Sequence, residues 1–211
     1  MLQDVNMKIK VCLLGDGAVG KSCLIRRFVE DMFSEDYFLT LGTKTSLKKI
    51  TIQKPEMEKN FNLTFVIWDI MGQISFQNLL HPDYLKGAKG AIVMCDLTRR
   101  ETLEHLEDWT DNLYNEGQMM PTIFVANKSD LSDQYRFLEE DIRDVASSYN
   151  SLYFKTSAKT GENVEKAFNA LGEEIIKNLY NPSNPMGGMD PSKQSKSTIT
   201  PEFLMPMNFK S

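Results

Sequence analysis

At 211 residues and 41% hydrophobic composition, the chain suits one compact core plus a tail better than two separately cored units. A net charge of −5 argues against a general polyanion binder, so no nucleic-acid partner is expected. No stretch approaches the roughly 18 apolar residues of a membrane span, and residues 1–8 are too polar for a secretion signal, so a cytoplasmic protein is expected.

From the N-terminus, residues 9–14 form a short apolar run expected as a buried strand, and a helical pattern occupies 20–30. Between them, Gly15-Asp16-Gly17-Ala18-Val19-Gly20-Lys21-Ser22 matches GxxxxGK[ST] in the strand-to-helix setting that a phosphate cradle needs. Glycines let successive N–H groups turn towards phosphate oxygens, and the start of the helix adds partial positive charge. Lys21 is expected to reach the β and γ phosphates. Ser22 is expected to offer its hydroxyl to Mg²⁺, which favours octahedral oxygen ligation. The cradle alone does not separate ATP from GTP, because both present the same triphosphate.

Residues 43–53 and 61–68 alternate and read as an antiparallel hairpin with a charged tip at 55–60. Strands over 91–96 and 122–126 flank a helix over 101–116. This alternation implies an α/β fold, and with the phosphate cradle and a further strand over 152–154 the expectation is a P-loop NTPase: a mostly parallel six-stranded sheet with one antiparallel edge strand and helices on both faces.

Asn127-Lys128-Ser129-Asp130 directly follows the strand over 122–126, where an open α/β sheet places ligand-binding residues. Asp130 can accept from the ring N–H and the exocyclic amine of guanine; adenine offers neither and would strand the carboxylate. A helix over 140–150 and a strand over 152–154 lead to Thr156-Ser157-Ala158-Lys159, whose Ala158 amide is expected to donate to the guanine carbonyl. The last helix covers 164–180. Beyond it, Pro182, Pro185, Gly187, Gly188, Pro191, Pro201 and Pro206 break any periodicity and mark a mobile tail. Cys12, Cys23 and Cys95 lack paired spacing and are expected as buried free thiols. His81 and His105 stand isolated, Trp68 and Trp109 read as packing residues, and Asp111, Glu116, Glu139, Glu140 and Asp141 read as solvated helix faces.

Taken together, these motifs resemble the Ras superfamily of small GTPases over about 8–180, with 1–7 as an N-terminal extension and 181–211 as the tail. Tyr84-Leu85-Lys86-Gly87-Ala88-Lys89-Gly90 followed by Ala91-Ile92-Val93-Met94-Cys95-Asp96-Leu97-Thr98 is most similar to Rab proteins. The resemblance implies a small G domain that cycles between GTP and GDP with Mg²⁺ and hydrolyses GTP slowly. Its switch segments would engage effectors, exchange factors and GTPase-activating proteins.

By position, the resemblance gives Thr40 a hydroxyl on Mg²⁺ and an amide on the γ-phosphate, and gives Asp69 a water-mediated hold on the metal. In Trp68-Asp69-Ile70-Met71-Gly72-Gln73, the Gly72 amide would meet the γ-phosphate, and Gln73 would orient the attacking water, with Gly17 leaving room for it. Lys21 and Thr40 would join Gln73 in catalysis. Nucleotide contacts would extend to Cys23, Phe33 would pack against guanine, and Tyr37 would close over the phosphates. Asn127, Lys128, Ser157 and Lys159 would complete the base pocket. No arginine motif for acting in cis is evident.

The chain also departs from the family pattern. Met71 stands where alanine or glycine is usual, Ile74-Ser75-Phe76-Gln77 lacks the common charged residues, and Leu41-Gly42-Thr43-Lys44-Thr45 lacks the usual aromatic. The tail has no cysteine for prenylation, and Leu2 stands where myristoylation needs glycine. No intrinsic lipid anchor is therefore expected, and membrane association would be peripheral, through partners or the tail. Two other functions compete: a non-hydrolysing, GTP-bound scaffold held by Met71, and a metabolic P-loop kinase or ATPase, which the guanine-reading Asp130 disfavours.

Overall fold

The computed structural model describes residues 2–34, 40, 42–72, 82–116 and 119–180. Tyr37, Gln73, the 74–77 segment, His81 and the tail lie outside the described residues. Six strands order as β2-β3-β1-β4-β5-β6. They are β1 (Gln3–Gly15), β2 (Thr43–Lys54), β3 (Lys59–Ile70), β4 (Ala88–Asp96), β5 (Thr122–Asn127) and β6 (Leu152–Lys155). Only β2 runs antiparallel, paired with β3 from Thr43↔Ile70 to Lys54↔Lys59; the other neighbours are parallel.

The helices are α1 (Lys21–Glu30), α2 (Pro82–Leu85), α3 (Arg100–Glu116), α4 (Glu139–Ser148) and α5 (Val164–Leu179). They cover both faces, because the central strands are apolar on both sides. In β1, Val11 and Leu13 join one core, with Phe28 of α1 stacked on Phe168 of α5 at 3.9 Å between ring centres. Cys12 and Leu14 join the other, with Leu106 and Trp109 of α3 and Ile142 of α4. Burying such side chains contributes about 1.5–3 kcal/mol each.

The first strand begins at Gln3, well before the expected residue 9, so Gln3–Met7 of the supposed extension belong to β1. Val5 and Met7 continue the alternation beside the core, and Asp4 to Met7 pair with Asn60 to Leu63. The charged hairpin tip is a short 3₁₀ turn at Pro55–Met57, closed by Glu58 in the left-handed region at φ 54°. The four-residue α2 is too short for helical periodicity to reveal. Of the cysteines, Cys12 and Cys95 are buried, with both thiols pushed up by burial, Cys12 to about 12; Cys23, expected buried, is only partly so.

Strand direction decides where chemistry can gather. β1 lies between β3 and β4, so the chain's winding reverses there and the carboxyl ends of the strands border one crevice. Gly15, Asp69, Asp96 and Asn127 are at or near the ends of β1, β3, β4 and β5, and all face that crevice's rim.

Candidate functional site

The loop between β1 and α1 wraps around its own lysine. Lys21 Nζ donates to the carbonyls of Gly15 and Asp16, each at 2.7 Å. Burial pulls this ammonium down to about 8, against the opposing attraction of Asp69 and Asp16. A buried cation so depressed fits a site completed by an anion. Gly20, at φ 101°, has no room for a side chain: a Cβ there would stand 2.3 Å from Asn127 Nδ2. Ala18 is left-handed at φ 63°, Val19 is buried, and Cys23 lies partly buried on the first turn of α1.

Beside Lys21, three oxygens from separate elements converge. Ser22 Oγ donates to Asp69 Oδ2 and lies 3.0 Å from Thr40 Oγ1, which is itself 3.4 Å from the same carboxylate oxygen. The other oxygen, Asp69 Oδ1, is buried without a hydrogen-bond partner among the described residues. Burial raises the Asp69 carboxyl, with the bond from Ser22 and the charge of Lys21 opposing it. Two hydroxyls and an orphaned carboxylate oxygen are a donor set that suits a hard, oxygen-seeking cation such as Mg²⁺. Gly72 closes the group from above: a Cβ on it would stand 2.4 Å from the Gly15 carbonyl oxygen and 2.5 Å from the Asp16 carbonyl carbon. Met71, buried to 9% exposure, donates its amide to the Gly42 carbonyl at 3.1 Å, joining the segments that carry Thr40 and Gly72.

The side expected to read the base is assembled by Asn127. Its Nδ2 donates to the Val19 carbonyl at 2.9 Å, and its Oδ1 accepts from Thr156 Oγ1 and the Ala158 amide, both at 3.1 Å. One side chain therefore joins the phosphate loop to both base loops. The Ala158 amide, expected to donate to guanine, donates here to Asn127 Oδ1. Ser157 Oγ donates to Asp130 Oδ1 at 2.5 Å, while Asp130 itself stays exposed. Lys128, left-handed at φ 69°, sends its Nζ to Asp96 Oδ2 at 2.6 Å. Lys159 is exposed, its carbonyl accepting from Arg27. Phe33 packs against the core cluster of α1 and α5.

Residues 10–177 match the Ras family. The chain belongs to it. "Ras-related protein Rab-22A" of Mus musculus is 37% identical over 180 residues, covering 84% of this chain and 88% of its own length. The Homo sapiens protein of that name is 38% identical over 171 residues, covering 80% and 84%. "Ras-related protein RABA4b" of Arabidopsis thaliana is 35% identical over 181 residues, covering 85% and 77%. This is a Rab-like Ras-superfamily GTPase, which binds guanine nucleotide and hydrolyses GTP to GDP.

Several residues of this Ras-family site carry no motif signal. Asp16 is buried in the phosphate loop, with Oδ1 accepting from Trp109 Nε1 at 2.8 Å and Oδ2 lying 2.7 Å from His105 Nδ1. His105, read as isolated, and Trp109, read as packing only, thus tether the loop to α3. The second base loop is held from α1, where Arg27 donates to the carbonyls of Ala158 at 3.0 Å and Lys159 at 2.6 Å. Separations of 89 to 132 residues hide these contacts from any local pattern. Among the acids, Asp111 accepts from Tyr149, and Asp141 accepts the Leu138 amide at the start of α4, so both serve local structure.

Proposed function

We propose that this GTPase is a nucleotide-controlled switch acting in trafficking or cell organisation. The G domain would span about 8–180, with Gln3–Met7 extending its first strand, and membrane association would be peripheral, through partners or the 181–211 tail. Gly15 to Cys23 would cradle the phosphates, and Phe33, Asn127, Lys128, Asp130, Ser157, Ala158 and Lys159 would hold guanine. The observation that carries the reading is the meeting of Thr40, Ser22 and Asp69 beside a buried Lys21.

Ser22, Thr40 and Asp69 would hold Mg²⁺, which supplies charge neutralisation to the phosphates. Thr40 reaches that cluster from one segment and Gly72 reaches the cradle from another, so contacts to a terminal phosphate would order both. Loss of that phosphate would release both, changing the surface open to effectors, exchange factors and activating proteins. Lys21 would neutralise charge on the transferring phosphoryl group while Gln73 orients the attacking water. Catalysis of this kind is positioning plus electrostatics and is slow alone, about 10⁻⁴ to 10⁻² s⁻¹.

Single-turnover hydrolysis tests the switch. Protein loaded with GTP and Mg²⁺ should convert it to GDP over hours, and Gln73→Leu should slow conversion by on the order of tenfold or more. Stable GTP in both proteins would instead support the non-hydrolysing scaffold, with Met71 obstructing the segment before Gln73. Failure to retain guanine nucleotide would sink both readings. Metal removal tests the oxygen cluster: excess chelator should speed GDP release by on the order of tenfold or more, a loss of at least ~1.4 kcal/mol of phosphate binding. An unchanged release rate would take Ser22, Thr40 and Asp69 out of metal binding.

A further inference from the structure

Arg99, in the turn between β4 and α3, lies outside every motif yet touches the phosphate loop. One guanidinium nitrogen, Nη2, donates to the Gly17 carbonyl at 2.8 Å, while Nε lies 3.2 Å from Asp96 Oδ2. Asp96 is fully buried and has further partners: Thr98 donates its amide and hydroxyl to Oδ1 at 2.9 and 2.7 Å, and Lys128 Nζ stands 2.6 Å from Oδ2. A single carboxylate therefore braces an arginine on the phosphate loop and a lysine on the base loop.

The bonded carbonyl belongs to a consequential peptide. In a trans peptide the carbonyl and the next N–H point in opposite directions. With the Gly17 oxygen held outward by Arg99, the Ala18 N–H is turned away from Arg99, towards the cradle. Ala18 holds φ 63°, a region that residues with a Cβ rarely occupy, so the loop needs an external hold to keep this geometry. Arg99 also stands close enough to Lys21 to repel its charge, which places two cations around the same loop. An ordinary surface arginine would do none of this.

We propose that Arg99, braced by Asp96 and Lys128, is a positioning residue for nucleotide: it fixes the Gly17–Ala18 peptide and couples the phosphate cradle to the base loop. The inference rests on the reading that guanine nucleotide occupies this cradle. A guanidinium fork serves both partners at once, Nη2 on the carbonyl and Nε on the carboxylate. An ammonium keeps the charge but not the planar fork, so lysine should rescue the function in part.

The test is the dissociation rate of a fluorescent GDP analogue, in Mg²⁺, from wild type, Arg99→Ala, Arg99→Lys and Arg100→Ala. Arg100 is the control, because its partners are Glu104 and Asp141 on the exposed helices. Arg99→Ala should release GDP about tenfold faster, as expected for losing a hydrogen bond to a charged group. Arg99→Lys should fall between it and wild type, and Arg100→Ala should match wild type. If Arg99→Ala does not purify, Arg99→Gln, which keeps a donor without the charge, should also release GDP faster than wild type. Release within twofold of wild type from Arg99→Ala, or from Arg99→Gln in its place, would overturn the inference. So would equal acceleration by Arg99→Ala and Arg100→Ala, which would mark a general loss of surface charge. A wild type that retains no guanine nucleotide would fail the cradle reading itself, a distinguishable outcome.

Discussion

Replacing Asp130 with asparagine is expected to weaken GDP binding by about 10³-fold or more and to transfer preference to the xanthine nucleotide. The carboxylate has two oxygens and about four lone-pair sites. In the structure Ser157 Oγ occupies one of these sites at 2.5 Å, and Asp130 stays exposed, where a base can reach it. Guanine presents two donors there, its ring N–H and its amine. Asparagine presents one acceptor and one donor, so its amide would face the guanine amine donor to donor. Xanthine carries a carbonyl in place of that amine and restores the match. Sites built on hydrogen bonds discriminate strongly because a mismatch leaves buried polar groups unpaired, by roughly 10⁴ to 10⁵ in the best cases. Equilibrium titration with GDP and xanthosine diphosphate reads both effects. GDP affinity within tenfold of wild type would remove Asp130 from the base pocket.

Gly72→Ala should separate binding from turnover. The added Cβ would stand 2.4 Å from the Gly15 oxygen and 2.5 Å from the Asp16 carbonyl carbon, both backbone atoms that have no rotamer to relieve the clash. The segment must then withdraw from the cradle, carrying its amide away from the position of a terminal phosphate and carrying Gln73 with it. GDP binding should stay within a few-fold of wild type, since Asn127 and Asp130 are untouched and the Lys21 ammonium, the atom nearest the added Cβ, is the end of a flexible side chain that can yield. Hydrolysis should fall by on the order of 10²-fold, the usual cost of misplacing one donor to transition-state charge. Single-turnover measurement of bound GTP would show it. A rate within threefold of wild type would mean that the Gly72 amide takes no part in turnover.

Much of this molecule was legible in short windows of residues. The GxxxxGK[ST] run needs only its own glycines, lysine and serine, because the chemistry lies in consecutive backbone amides at the start of a helix. The alternation in 43–53 and 61–68 specified the β2–β3 hairpin, because side-chain period and pairing register are one geometric fact. Element ends were less legible: Gln3–Met7 looked polar, and only their pairing with Lys59 to Leu63 of β3 makes them strand.

Beyond those windows, legibility failed wherever one residue serves another far along the chain. Nothing near Asp16 says that His105 and Trp109 will hold it, and nothing near Ala158 says that Asn127 and Arg27 will hold it. The nature of the ligand follows from local chemistry: phosphate from backbone amides and a lysine, guanine from a carboxylate that adenine cannot satisfy. The shape of the site follows from strand order, because parallel strands separated by helices bring Gly15, Asp69, Asp96 and Asn127 to one edge while they stand 27 to 112 residues apart. Contacts such as Arg99 on Gly17 arise at that edge, since a side chain there is paired by proximity in space and leaves no period or spacing behind.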